Sequence, residues 1–146
     1  MFETINWTVQ SQVAGGPGIT KSNSRTVGAY DKITAVIPKQ VGASPTEVDV
    51  DVQPGDLTEL KLLFVSADTG GLPLTYSVNA PLTAGEAGIT LDAPLMLIGE
   101  GAVSLLATAD SKGNNTVAPQ TLYFYNADTK NDAVVQILVG RQAVAP

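Results

Sequence analysis

The sequence predicts an all-β fold: a single-domain antiparallel β-sandwich or jelly roll of about eight or nine strands spanning residues 1–146. Two observations predict it. Apolar residues recur with a period of two in most segments, the spacing that turns one side of a strand to a core and the other to water. Turn signals separate these segments, with Gly 14 and Pro 9 in the chain. Helical spacing is the weaker template: no segment longer than about ten residues keeps an i, i+3, i+4 apolar stripe without Gly or Pro. At most one short helical turn is expected.

The elements follow in chain order. "TINWTVQSQV" alternates Ile5, Trp7 and Val9 against Asn6, Thr8 and Gln10. Val13 to Gly28 is polar and Gly-rich, the longest candidate loop. It reads as an extended arm or loop (13–28) within one domain, because too little chain precedes it to form a second core. "AYDKITAVI" offers Ile33, Ala35 and Ile37. "TEVDVDVQPG" sets Val48, Val50 and Val52 against Glu47, Asp49, Asp51 and Gln53, then closes with a Pro54-Gly55 turn. "LTELKLLFVSA" has Leu60, Leu62 and Phe64 on one side and Leu63 and Val65 on the other. That reads as a central strand covered on both faces, with a short buried helix as the alternative.

"PLTYSVN" presents Leu74, Tyr76 and Val78. "GITLDAPLMLIG" gives Ile89 and Leu91, then Leu95 and Leu97 after a kink at Pro94. "AVSLLATA" reads as a strand through Val103, Leu105 and Ala107. "QTLYFYN" sets Leu122 and Phe124 opposite Tyr123 and Tyr125, and "DAVVQILVG" gives Val135, Ile137 and Val139.

Composition bounds the function. Hydrophobic residues make up 44% and charged residues 15%, which argues against disorder. Lys+Arg 8 against Asp+Glu 14 gives a net charge of −6, so no nucleic-acid partner is expected. No apolar run reaches the length of a membrane helix, and no membrane partner is expected. "MFETINWTVQ" has neither the basic nor the apolar region of a secretory signal. The absence of His and Cys excludes disulfides, thiolate nucleophiles, Ser-His-Asp triads and nearly all transition-metal sites. "GGPG" and "GEG" lack the Lys-Ser/Thr ending of a phosphate loop. No catalytic, cofactor-binding or metal-ligating residue is assigned, and the chain is not expected to be an enzyme.

Three stretches share Ala-Asp-Thr/Ser before a Gly/Asn/Lys cluster: "VSADTGG", "ATADSKGNN" and "YNADTKND". A calcium loop needs several converging oxygens, and "SADTGG" supplies one carboxylate. The spacing of Asp68, Asp110 and Asp128 is unequal, which excludes a tandem repeat. One turn chemistry used three times is the better reading: each Asp accepts nearby backbone N–H groups, and Gly or Asn takes the left-handed backbone.

Other candidates are weighed the same way. Glu47, Asp49 and Asp51 have the spacing to hold a divalent cation, but a solvated or charge-guarded edge strand accounts for them. Tyr123 and Tyr125 form a sugar-stacking platform, a protein contact, or packing beneath a loop. Trp7 is a core anchor by default, with partner contact the alternative. The candidate partner-binding residues are Phe2, Ile5, Trp7, Tyr123 and Tyr125. Apolar residues this early in the chain are wasted on a frayed tail.

The chain is short, acidic and dense in β segments, lacks Cys and His, and ends "NDAVVQILVGRQAVAP". In this overall style it resembles the small β-sandwich decoration, or cement, proteins on capsids of tailed bacteriophages. The resemblance carries no functional residue across. It implies a structural virion protein, made in the host cytoplasm, that binds outside a capsid lattice as a homo-oligomer, with a trimer the best guess, and stabilises subunit junctions. The alternative is a carbohydrate-binding or adhesive β-sandwich module.

Overall fold

A computed structural model describes residues 2–52 and 59–142. The expected Pro54-Gly55 turn lies outside the described residues. The elements are β1 (Glu3–Gln12), β2 (Gly18–Val27), β3 (Ala29–Ile37), β4 (Thr46–Asp51), β5 (Leu60–Thr69), β6 (Leu74–Val78), β7 (Ile89–Leu91), β8 (Leu95–Ile98), α1 (Glu100–Val103), a 3-10 turn (Ser104–Leu106), β9 (Thr108–Ala109), β10 (Asn115–Val117), β11 (Thr121–Asn126) and β12 (Ala133–Arg141).

Two four-stranded sheets, β3-β12-β5-β8 and β4-β11-β6-β7, share one hydrophobic core, and every strand pair in them is antiparallel. Two hairpins, β1-β2 and β9-β10, stand apart from the sheets. The all-β sandwich class is therefore as read. The described residues hold twelve strands rather than eight or nine. The surplus comes from β2 in the expected loop, from Pro94, where one expected strand becomes β7 and β8, and from β10, which pairs with the two-residue β9 in a minimal hairpin.

The period-two pattern does the sorting. Val135, Ile137 and Val139 of β12 lie opposite Ala67, Val65 and Leu63 of β5, all inward. Leu122 and Phe124 of β11 lie opposite Val50 and Val48 of β4 and enter the same core from the other sheet. The Phe124 ring tilts against Tyr76 at 6.3 Å between centroids. β5 lies between β12 and β8 and is covered on both faces, the central strand that its unbroken apolar run implies.

Two segments depart from the reading. "AVSLLATA" holds no strand through Val103, Leu105 and Ala107: 100–106 is α1 followed by the 3-10 turn, and only Thr108–Ala109 pairs, as β9. Gly99 turns the chain at φ 90, and its carbonyl accepts from Ala102 and Val103 N–H. Val103 alone drops fully into the core, while Leu105 is exposed. A single turn with one buried side chain leaves too short a pattern to separate from alternation. The second is Val13–Gly28, expected as arm or loop, which contains strand β2.

The three Asp residues also divide. Asp110 accepts from Lys112 and Asn114 N–H and the Thr116 hydroxyl, and these bonds lower its pKa. Gly113 in that turn is left-handed at φ 83. Asp128 is buried and accepts from the Asn131 side chain and from the N–H groups of Lys130, Asn131 and Leu72. The neighbouring Asn126, also buried, bonds the carbonyls of Ile37 and Asn131. Asp68 departs from expectation. It lies in β5, exposed, and among the described residues its carboxylate accepts no hydrogen bond. The Gly70-Gly71 pair after it has no positive φ; its role is space. A Cβ on Gly70 meets Asn131 at 2.9 Å, and one on Gly71 collides with the Asp128 carboxylate. That carboxylate therefore ties together the loops at one end of the sandwich. At the other end of β11, Asn79 (φ 63) does similar work, bonding Gln120 N–H, Ala118 carbonyl and Thr108 hydroxyl.

Asp128 makes stability pH-dependent. The Asn131 amide and the surrounding N–H donors lower its pKa from 3.8 to about 2. A depressed folded-state pKa contributes stability that is present above the unfolded value and lost as pH falls through the folded one. Urea unfolding should show a decline from about pH 4 to pH 2. Asp128→Asn should start from lower stability at pH 7 and show a shallower decline. Equal slopes refute the assignment.

Candidate functional site

The N-terminal hairpin is the feature with no role in the core. β1 and β2 pair over ten positions each, from Glu3↔Val27 to Gln12↔Gly18. A tight turn joins them: Gly16 N–H donates to Val13 carbonyl at 2.8 Å, and Gly15 sits at φ 71, a left-handed conformation that suits glycine. Ten residues per strand make an arm about 33 Å long.

Its two faces differ. One carries Thr4, Asn6, Thr8, Gln10 and Gln12 beside Thr20, Ser22, Ser24 and Thr26, all polar. The other carries Ile5, Trp7 and Val9 of β1 beside Ile19, Lys21, Asn23, Arg25 and Val27 of β2. The base half of this second face is seated on the sandwich. Val27 is buried, and Gly140 of β12 gives it room: a Cβ there meets Ile5 at 2.9 Å and Val27 at 3.0 Å. Arg25 reaches Gly99. The tip half is open, with Val9, Val13 and Ile19 exposed; Ile19 reaches 76%.

The expected partner residues fall on two separate faces. Phe2 is exposed at the foot of the arm. Ile5 is half-buried on Gly140, and Trp7 is half-buried on the arm outside the core cluster, so it is no core anchor. Tyr123 and Tyr125 lie on the outer face of the other sheet, across from Asp49 and Glu47 on one side and Ser77 and Thr75 on the other. Tyr125 packs beneath a loop: its hydroxyl accepts Leu82 N–H at 2.7 Å. That loop is braced by Glu86, which accepts Thr83 N–H, and these hydrogen bonds lower the Glu86 pKa.

The outward row Glu47, Asp49 and Asp51 follows β4, a sheet edge, as a charge-guarded strand does. Among the described residues no three acidic side chains gather to hold a metal ion. A cleft of about 620 Å³ opens where the edge strands β3 and β4 flank the seam between the sheets. Ile33, Ala35, Val48 and Val50 line it, with Asp31, Asp49 and Asp51 among its charged residues, and Asp31 is paired with Arg141. Neither the cleft nor the pairing of Ile19 and Lys21 with β1 is legible in sequence. Ile19 stands alone in a polar stretch, and only the register sets it beside Val9.

Two substitutions separate seat from surface. Gly140→Val should overpack the base, cost about 1–3 kcal/mol, and make the arm more sensitive to limited proteolysis. Tyr125→Phe removes the acceptor for Leu82 N–H and should cost about 1 kcal/mol in thermal or urea unfolding. No loss in either assay refutes the corresponding contact. Compared with protein-family models, curated proteins and solved structures, the chain matches none.

Proposed function

We propose that the chain is a structural assembly protein, of the kind that decorates a tailed-phage capsid, and that the arm is its reaching element. The observation carrying this reading is the arm itself. A two-stranded hairpin is marginal alone in water, and it becomes stable when its apolar face is covered by further strands or another surface. Here the base half has such a cover and the tip half, with Val9, Val13 and Ile19, has water. Docking on a protein lattice supplies the missing cover. Copies linked in an oligomer would multiply individually weak contacts, and binding to the assembled shell stabilises that state by mass action. The trimer follows from the family resemblance and not from the arm.

A carbohydrate-binding module is the second reading, favoured by Tyr123, half-buried in a row of polar and acidic side chains. Tyr125 weakens it, because the hydroxyl is committed to the loop at Leu82. One ring remains where a stacking platform uses several.

Co-sedimentation distinguishes the two. The full chain should pellet with heads of the virus whose genome encodes it, prepared without it, and raise their rupture temperature. A chain lacking residues 2–27 should stay in the supernatant while its sandwich still unfolds cooperatively in urea. A full chain that ignores heads and binds a glycan array, with loss in Tyr123→Ala, overturns the proposal.

A further inference from the structure

The tip half of the arm needs a surface, and the seam cleft needs a cover. We propose that each is the other's partner in a second copy of this chain: the arm tip of one copy lies in the β3/β4 cleft of its neighbour. This deepens the assembly reading and rests on it for the arm's role.

Charge complementarity favours this occupant. Residues 3–27 carry two basic side chains, Lys21 and Arg25, against one acidic, Glu3. The rest of the chain carries six basic against thirteen acidic. The arm is thus of opposite sign to the rest of the chain taken together. The match continues at residue level. On the arm's second face Lys21 lies directly across from Val9, with Ile19 next along its strand. The floor of the cleft is half-buried Val48 of β4 with Ile33 and Ala35 of β3, and the outward-alternating Asp49 and Asp51 stand along its β4 lip. An apolar stripe bearing a cation meets an apolar trough whose charged lining, Asp31, Asp49 and Asp51 against Lys32 and Arg141, is acidic by one. Arg25 lies over Gly99 in the base half of the arm, which leaves Lys21 as the tip's cation.

The contact is large enough. Six residues of each strand make a tip about 20 Å long and about 10 Å wide. Covering one face and both edges, and counting the receiving surface, buries on the order of 800 Å² per contact. A copy that gives one arm and receives another is held by about 1,600 Å², the size of a standard specific interface. Both β3 and β4 are sheet edges, and a seated arm shields them from promiscuous strand pairing.

The test uses the full chain, with Lys21, Asp49 and Ile19 exposed and Ala35 half-buried at the cleft. Lys21→Glu in the arm and Asp49→Lys in the cleft should each weaken self-association about tenfold or more, read by sedimentation equilibrium. The double charge swap should recover most of it, which a merely structural effect of either change does not produce. Because the chain has no Cys, an Ile19→Cys copy mixed with an Ala35→Cys copy should give a heterodimer with a short bismaleimide. A wild-type monomer at about 100 μM, far above the Kd of a standard interface, overturns the proposal. So does charge-swap behaviour without rescue, or cross-linking confined to Ile19→Cys with itself. If these fail while the arm is still required for pelleting with heads, the exchange is wrong and the assembly reading stands. If self-association behaves as stated and no head is bound, the exchange stands and the shell reading falls.

Discussion

The structure depends on the insertion of β12 between β3 and β5. Its nine residues complete two ladders at once, pairing with segments that lie 64 to 112 positions earlier, from Ala133↔Thr69 to Arg141↔Ala29. The inward side chains Val135, Ile137 and Val139 are buried essentially completely, each contributing about 1.5–3 kcal/mol. Its start is positioned by the polar tie of Asn126 and Asp128, and its end pairs Arg141 with Asp31 at the seam. The outer face of the same strand, at Gly140, seats the arm. Core, cleft and arm base are thus three surfaces of one strand.

That arrangement explains how a hairpin with little core of its own keeps a defined direction. Ile5 and Val27 fill the space that the missing Cβ of Gly140 leaves over Leu62. Gly28 N–H bonds Arg141 carbonyl at 2.7 Å and joins β2 to the sandwich. Beyond this seat the tip is held by its own ladder. The Thr, Ser, Asn and Gln side chains of its polar face keep that side wet, so a partner has one apolar surface to meet. On the sandwich, the carboxylates of β4 do the opposite job and discourage unplanned pairing at an open edge.

Similar short sequences reach different ends because their surroundings differ. Asp110 closes a local turn in which Gly113 supplies left-handed backbone. Asp128 bridges two loops, and the glycines across from it are there to clear space. Asp68, with the same neighbours in sequence, continues a strand because β12 pairs alongside it as far as Thr69. Local propensity proposes a turn, and the ladder overrides it.

The sequence by itself determined the class of fold and most of the inward faces. Val48-Val50, Leu63-Val65, Leu122-Phe124 and Val135-Ile137-Val139 each alternate strictly, and alternation is a local property that a strand cannot hide. It also marked Phe2, Ile5 and Trp7 as candidate partner residues, with a core anchor as the default for Trp7 that the structure replaced. Tertiary structure alone decided that polar 18–27 is a strand, because its pairing comes from the register with β1 and not from its own hydrophobicity. It likewise decided that Tyr123 and Tyr125 face away from the arm, that 100–106 is helical, and that β3 and β4, consecutive in sequence, sit as edges of different sheets with a cleft between them. Such facts depend on which strand lies beside which. The free energy that chooses neighbours comes from burying both sheets at once, which no window of sequence contains.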